Sequence, residues 1–282
     1  MEEERLLLWR ERNVETASSF PQARRLTRFL AQHRVFRDLF ELSLVGFAFL
    51  LYFLVRGSVV DRTGEAVHRA IRIIDLEQKW GFFWELELQA LVIGSSALVQ
   101  FFNAIYFWLD FPLIVVVGLW LYFRHRHQYT ITRDAILSSG AIALVIYHLF
   151  PVAPPRLLPA FGFVDTLAVF SNLSYQAQST QPFVNPYAAV PSLHVGWAVL
   201  LTLGIMGATR SKPIWFLAAL VPVAQLAAIV FTGNHFIFDA IIGLVVSLMG
   251  LVIAVMLQRF GYAYVRRWLG HEPTAKAPAA GT

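Results

Sequence analysis

The chain has 282 residues, of which 57% are hydrophobic and only 15% charged. Soluble domains are nearer half apolar and a quarter charged, so this composition excludes an ordinary soluble domain and predicts a polytopic membrane protein. The net charge of +5 comes from basic residues spread over many short segments; it indicates membrane orientation rather than nucleic-acid binding. The absence of cysteine excludes disulfides and thiolate chemistry.

The predicted fold is all-α: a polytopic membrane helical bundle of about six transmembrane helices, with additional interfacial amphipathic helices. A helix needs about 20 apolar residues to cross the bilayer core. The candidate spans, in chain order, are residues 39–55, 99–123, 131–151, 192–209, 214–231 and 237–257. The segment 85–96 is only half apolar, which predicts an interfacial or re-entrant helix, with a seventh span as the alternative.

The placement of basic residues favours six spans over seven. With the N-terminus in the cytoplasm, most of the 23 basic residues fall on the inner side of the membrane, as the positive-inside rule requires. A seventh span before residue 123 would place Arg124 and Arg126 outside. We therefore expect a multi-pass protein of the plasma (inner) membrane with both termini cytoplasmic.

Three regions are predicted along the chain. Residues 1–38 form a cytoplasmic amphipathic segment, 39–261 a membrane domain, and 262–282 a cytoplasmic tail that is partly disordered. The first region is charged and lacks the apolar core of a signal peptide, so the first span should act as an uncleaved anchor.

Two amphipathic segments are expected to lie on membrane surfaces. Residues 24–39 alternate basic and apolar side chains and are expected on the inner surface. Residues 65–80 are expected on the outer surface, with Glu77 among the polar side chains that oppose an apolar face. For both, a solvated linker helix and a role in admitting substrate are open alternatives.

His235 and Asp239 stand at the start of the last predicted span. They are four residues apart, so in a helix they share a face, and the carboxylate can accept a hydrogen bond from the imidazole. That bond would fix the tautomer and leave the other ring nitrogen free to attack. Together with a second imidazole and a guanidinium, the pair supplies the parts needed to cleave a phosphoester through a phosphohistidine.

Three further side chains suit the same chemistry. His194 begins a different span on the same external face, where it can protonate a leaving alkoxide. Arg156 follows two prolines, and its guanidinium can bind phosphate oxygens bidentately. Ser192 and the free amides at the start of its helix can donate to the same phosphate.

Three motifs occur in order: Pro-Pro-Arg at 154–156, Pro-Ser-Leu-His-Val at 191–195 and Gly-Asn-His-(x3)-Asp at 233–239. Together they resemble the type 2 phosphatidic acid phosphatase superfamily, which shares its core with vanadium haloperoxidases. The branch of the inositol phosphorylceramide synthases is the most similar. The resemblance implies His235 as nucleophile, Asp239 as its partner, His194 as general acid and Arg156 as phosphate ligand. It also implies turnover without a metal or other cofactor.

Two cationic positions of the superfamily pattern are apolar here. Leu149 stands where a lysine usually precedes the arginine, and Ala228 with Ile229 replaces the usual Ser-Arg pair. The neutral donors that are candidates to bind phosphate instead are Thr232, Asn234, His148 and Tyr147. A less cationic pocket favours a phosphodiester headgroup, or a transferase, over a phosphatase of monoesters.

A second polar group is predicted to bind the lipid headgroup. Asn103, Tyr106 and Asp110 fall at helical spacing inside the second predicted span, where a headgroup-binding face and a structural hydrogen-bond network are both open. Asn185 and Tyr187 belong to the long polar loop 157–191, which is expected outside the membrane as a lid or headgroup pocket.

The sequence thus predicts an integral-membrane lipid phosphatase or phosphotransferase that acts at the outer face on a phospholipid or lipid phosphate. Headgroup transfer, with a polyol or lipid alcohol as acceptor, is favoured over simple hydrolysis of monoesters. Two other classes compete. Two histidines and an aspartate could bind a metal, or two histidines a haem; a non-catalytic membrane scaffold or transporter is the third class.

Overall fold

The computed structural model describes residues 34–57, 62–170 and 187–262. The chain divides into two compact units, one made of Met1–Phe47 with Met256–Thr282 and the other of Ala48–Val255. Residues 1–33 of the predicted amphipathic segment, residues 171–186 of the polar loop, which include Asn185, and residues 263–282 of the predicted tail lie outside the described residues. Every site residue discussed below belongs to the second unit.

Helices account for most of the described residues. They are α1 (Arg34–Gly57), α2 (Thr63–Trp80), α3 (Glu85–Ile93), α4 (Ser96–Trp108), α5 (Phe111–Arg124), α6 (Arg126–Leu149), α7 (Thr166–Phe170), α8 (Leu193–Ala208), α9 (Lys212–Phe231) and α10 (Ile237–Met256). Two 3₁₀ turns, Pro155–Leu157 and Pro159–Phe161, follow α6, and a π-helical turn, Leu257–Gly261, follows α10. Within these ranges there is no strand, only an isolated bridge between Val152 and Ala188. The all-α prediction is confirmed.

Six transmembrane helices are not confirmed. Among the described residues, α6, α9 and the stretch Ile237–Gly261 are long and apolar enough to cross a membrane. The pair α4 and α5 makes a fourth candidate if it is one broken span, whereas α8 is apolar but has only 16 residues. These helices are those of a membrane protein.

The predicted span 99–123 is broken at Leu109 and Asp110 into α4 and α5, which are bent by 40°. Pro112, in the first turn of α5, has no amide proton with which to continue the hydrogen bonds of α4. Asp110 takes backbone angles of φ −100° and ψ −114°, outside the helical range. We expected Asp110 to share one helical face with Asn103 and Tyr106, and this is wrong. Asp110 lies instead in the bend between α4 and α5.

The segment 85–96 does not form a seventh span. Its helix α3 has nine residues, which extend about 14 Å, whereas the hydrocarbon core of a bilayer is about 30 Å thick. The short length of α3 and the distribution of basic residues therefore both argue against a seventh span in this segment.

The beginning of α8 rests directly on the backbone of α10. A Cβ on Gly243 would overlap the Ser192 carbonyl group, and a Cβ on Gly196 would overlap the Ser247 side chain. The Ser192 amide donates a hydrogen bond to the Asp239 carbonyl oxygen over 2.9 Å. Glycine at these two positions lets the backbones approach closely, which brings the second and third motifs together.

Arginine side chains at the start of α2 bind the C-terminal end of α6. Arg62 and Arg69, which both pair with Glu65, donate to the carbonyl oxygens of His148 and Leu149. The last carbonyls of a helix have no partner within it, so these arginines satisfy them. This contact fixes the end of α6, from which the Pro-Pro-Arg motif follows.

Candidate active site

The His235 ring is oriented by a backbone carbonyl as well as by a carboxylate. Nδ1 lies 2.9 Å from the Ala189 carbonyl oxygen and 3.4 Å from Oδ2 of Asp239. A carbonyl oxygen can only accept a hydrogen bond, so Nδ1 carries a proton, and in the neutral ring Nε2 then keeps its lone pair. The arrangement leaves Nε2 able to act as a nucleophile.

Asp239 is fully buried and bound on two sides. Its Oδ2 accepts a hydrogen bond from the Phe236 amide over 2.9 Å, and its backbone carbonyl accepts from Ser192. The carboxylate therefore caps the first turn of α10 while it faces the His235 ring. This double attachment fixes the position of Asp239 relative to both histidine motifs.

His194 lies beside His235 at the second position of α8. The centroids of the two imidazole rings are 5.4 Å apart, and the Tyr106 ring lies 4.4 Å from that of His194. Oδ2 of Asp110 is 3.4 Å from Nδ1 of His194. Asp110, which we predicted to bind a headgroup, thus stands next to the predicted general acid.

We expect Asp110→Asn to lower kcat by about 10- to 100-fold, with a smaller change in KM. The substitution keeps the shape of the side chain but removes the charge that stabilises a protonated His194 ring. Steady-state kinetics on the purified protein test this, with Asp75→Asn as the control because Asp75 is exposed on α2. Wild-type kcat in Asp110→Asn would show that this carboxylate does not serve His194.

Arg156 is attached to the His235 loop through its backbone and to Asp165 through its side chain. Its amide donates to the Gly233 carbonyl oxygen over 2.8 Å, and Nη1 lies 2.8 Å from Oδ2 of Asp165. The other carboxylate oxygen of Asp165 accepts from the amides of Leu167 and Ala168 at the start of α7. Arg156 is therefore held at a fixed place beside the nucleophile loop.

Gly233 forms the turn that precedes the nucleophile. Its φ of +68° belongs to the left-handed region that favours glycine, and a Cβ there would press against the Gln89 side chain. Gln89 is buried and binds both the amide and the carbonyl oxygen of Val164. The glycine of the third motif thus allows α3 to pack against this loop.

Several predicted phosphate ligands are engaged with neighbouring protein groups. The Tyr147 hydroxyl donates to the Pro191 carbonyl oxygen over 2.7 Å, and the Asn234 amide donates to Oγ1 of Thr232 over 2.6 Å. The side chain of His148 is exposed at the end of α6. Oγ of Ser192 is buried and has no hydrogen-bond partner among the described residues, so it remains a donor that a phosphate could use.

Two of the predicted headgroup ligands bind other parts of the chain. The Asn103 amide donates to the Thr166 carbonyl oxygen over 3.2 Å. The Tyr187 hydroxyl lies 2.7 Å from Oγ1 of Thr63. Asn103 is thus part of a structural hydrogen-bond network between segments of the protein, which was one of the two alternatives for this polar face. Tyr106, in contrast, packs against the His194 ring.

Sequence reasoning missed two glutamates behind the nucleophile. Glu77 was expected on a polar face of its helix, but both Glu77 and Glu85 are fully buried, so that expectation is wrong. Oε1 of Glu77 accepts from the Phe238 amide over 2.7 Å, and Oε1 of Glu85 accepts from the Ile237 amide over 2.8 Å. The sequence did contain an indication that Glu77 is buried. Glu77 lies at helical spacing from a series of small and apolar residues that the structure buries, namely Ala66, Ala70, Ile73 and Ile74.

Burial raises the pKa of Glu77 to about 9, and the charge of Glu85 adds to this effect. Burial raises the pKa of Glu85 as well. For both side chains, burial favours the neutral form over the ionised one. Among the residues that the structure describes, no group of three or more His, Asp or Glu side chains is placed to hold a metal ion.

A comparison with known families adds an independent finding. A family model described as the PAP2 superfamily matches residues 71–253 and so spans Arg156, His194, His235 and Asp239. Searches of curated proteins and of solved structures gave no match. The match covers well over half of the sequence, and the chain therefore belongs to the PAP2 (type 2 phosphatidic acid phosphatase) superfamily.

Proposed function

We propose that this chain is an integral-membrane lipid phosphatase or phosphotransferase that works through a phosphohistidine on His235. Membership of the PAP2 superfamily indicates a phosphatase-type lipid phosphoesterase, whose substrate is a lipid phosphate in a membrane. The observation that carries the finer proposal is the hydrogen bond from Nδ1 of His235 to the Ala189 carbonyl, which leaves Nε2 as a free base.

In the first step, Nε2 of His235 attacks the phosphorus atom of the substrate. The bond from phosphorus to the leaving oxygen breaks, and that oxygen takes a proton from His194. Arg156 and the hydroxyl of Ser192 bind the phosphate oxygens, on which negative charge is concentrated. The ring of the phosphohistidine keeps its Nδ1 proton, so it is cationic, and the buried Asp239 carboxylate stabilises it.

In the second step, an acceptor hydroxyl enters in place of the leaving group. His194, now neutral, removes its proton as the acceptor oxygen attacks phosphorus and the bond to Nε2 breaks. Water as acceptor gives hydrolysis, whereas a polyol or a lipid alcohol gives transfer. Asp110 orients His194 in both steps and stabilises its protonated state.

Headgroup transfer of the inositol phosphorylceramide synthase type is favoured over hydrolysis of monoesters. Leu149 is exposed, and Ala228 and Ile229 are buried, so none of the three supplies the positive charge that is usual at these positions. Asp110 adds a negative charge near His194, and Arg156 is shared with Asp165. Such a site suits the single charge of a phosphodiester better than the double charge of a monoester.

The distribution of basic residues supports an active site on the extracytoplasmic side of the plasma (inner) membrane. The three motifs are then at the outer ends of their helices, where a lipid of the outer leaflet can present its phosphate while its tails stay in the bilayer. Accessibility labelling of single cysteines placed in residues 171–186 of the cysteine-free chain tests this in intact cells. Protection of that loop would contradict the outer-face assignment.

The test of function uses the purified protein in detergent with EDTA present. It is incubated with phosphatidic acid, a polyprenyl pyrophosphate or phosphatidylinositol, with and without a lipid alcohol such as ceramide. Released phosphate is followed, and the lipid products are resolved by mass spectrometry.

A new lipid that carries the transferred headgroup, formed only when the acceptor is supplied, is the result we expect. Release of phosphate from phosphatidic acid at a comparable rate would make the chain a hydrolase instead. Neither product from any of these substrates would contradict both assignments and favour the scaffold reading.

A further inference from the structure

Three consecutive backbone amides at the start of α10 each donate to a different buried carboxylate. The Phe236 amide binds Asp239, the Ile237 amide binds Glu85, and the Phe238 amide binds Glu77, over 2.7 to 2.9 Å. The first amides of a helix have no partner within it and attract negative charge. Here they are satisfied by protein side chains, so they are not available to a substrate phosphate.

Each of the two glutamates has a second carboxylate oxygen, Oε2, that does not bind a backbone amide. Oε2 of Glu77 and Oε2 of Glu85 are buried, and neither has a hydrogen-bond partner among the described residues. The two groups are close enough for the charge of Glu85 to act on Glu77. Two ionised carboxylates in this position would repel each other and would lack solvation, whereas a single proton between them satisfies both oxygens.

We propose that Glu77 and Glu85 share one proton and are positioning residues, which hold the first turn of α10 and thereby the His235–Asp239 pair. Glu77 comes from α2 and Glu85 from α3, so the pair joins three helices behind the nucleophile. Both side chains are fully buried, so we expect them to make no contact with the substrate. They act through the amides of Ile237 and Phe238, which are adjacent in sequence to Asp239.

The charged groups that surround Glu77 and Glu85 also favour one shared proton over two ionised carboxylates. The titratable groups that act on the pair are Asp239 on α10 and, beyond it, His235, which pairs with Asp239. A proton on the glutamate pair limits the negative charge behind His235 to Asp239 and one glutamate. Loss of that proton would place a third negative charge in a region closed to water.

This arrangement predicts how stability depends on pH. The pKa of Glu77 is raised from 4.5 to about 9, so the folded protein binds a proton that the unfolded chain releases. The stabilisation is complete below pH 4.5 and is lost as the pH rises towards about 9. The midpoint of thermal unfolding should therefore fall between pH 6 and pH 9, and it should fall less in Glu77→Gln.

The first experiment does not depend on the enzymatic activity. The full-length protein in detergent is examined by infrared spectroscopy at pH 7 for the carbonyl stretch of protonated carboxyl groups, and by thermal unfolding across pH. We expect Glu77→Gln to lose part of that band, and Glu87→Gln, a matched change at an exposed position of α3, to keep all of it. An unchanged band and an unchanged pH profile in Glu77→Gln would overturn the shared proton.

The second experiment rests on the proposed function, because it measures turnover of whichever lipid the protein accepts. Glu77→Ala should lower kcat by about tenfold or more with little change in KM, because a small displacement of the nucleophile is costly. Glu77→Gln should recover most of kcat, since an amide can accept from Phe238 and donate to Glu85.

Equal kcat in Glu77→Ala and the wild type would overturn the positioning role. If no lipid is turned over, the infrared and unfolding results still decide whether the proton is shared. If Glu77→Ala does not fold, Glu85→Ala tests the positioning role in its place, because Glu85 binds the neighbouring Ile237 amide; wild-type kcat in Glu85→Ala would overturn that role.

Discussion

Replacing His235 with alanine is expected to reduce turnover by more than about 10⁴-fold, because the side chain that forms the covalent intermediate is removed. The fold should persist, since the close packing of α8 on α10 is at Gly196 and Gly243 and the hydrogen bond between Ser192 and Asp239 does not involve the His235 ring. Phosphate release and headgroup transfer should be lost together, because both pass through a bond between phosphorus and Nε2 of His235.

His127→Ala is the matched control, because His127 is exposed near the start of α6. It should keep the activity of the wild type, and both variants should unfold at a similar temperature. If His235→Ala kept more than about a tenth of the activity, another nucleophile would be acting, since loss of a nucleophile has far larger effects.

A single methyl group on Gly243 is expected to disrupt the site without altering any chemical group in it. A Cβ there would overlap the Ser192 carbonyl, which is backbone and cannot turn away. We expect Gly243→Ala to destabilise the protein by about 1–3 kcal/mol, because helix α8 must move off α10. Activity should fall by about 100-fold, since this shift separates Ser192 and His194 from Asp239.

Gly118→Ala provides the comparison for this substitution. Gly118 lies inside α5, and a Cβ there would have no atom within 4 Å. Alanine should stabilise the helix by about 0.5–1 kcal/mol and leave activity unchanged. Wild-type stability and activity in Gly243→Ala, measured beside Gly118→Ala, would contradict the close packing of α8 on α10.

The all-helical class and the superfamily were predictable because they depend on local signals. Composition and apolar runs indicate helices in a membrane, and the three motifs are short and occur in a fixed order. The structure places His194, His235 and Asp239 close together, although sequence spacing indicated only the contact between His235 and Asp239. The roles assigned to these residues, and the synthase-like branch, remain predictions.

The number of spans was less predictable, because hydropathy reports composition and not the path of the backbone. Residues 99–123 are apolar throughout except for a few side chains, yet they form two helices with a bend at Asp110. That bend places Asp110 near His194, a pairing for which sequence spacing gives no indication. The long-range partner of Asp110 depends on tertiary packing.

Glu77 and Glu85 were missed for a related reason. An acidic residue in an amphipathic helix usually faces water, and a charged side chain is rarely buried without a partner. The partners of these two glutamates are backbone amides 152 and 161 residues away along the chain. Only the helical spacing of Ala66, Ala70 and Glu77 indicated the buried face.

The central claim is that catalysis passes through a phosphoryl group on His235. The most direct test quenches the protein rapidly during turnover of its lipid substrate, at alkaline pH, and locates the phosphoryl group by tandem mass spectrometry. The proposal predicts a phosphoryl group on His235, which still carries the headgroup when the substrate is a phosphodiester; this adduct is absent in His235→Ala and present in Glu87→Gln. A phosphoryl group on any other side chain during turnover would contradict it.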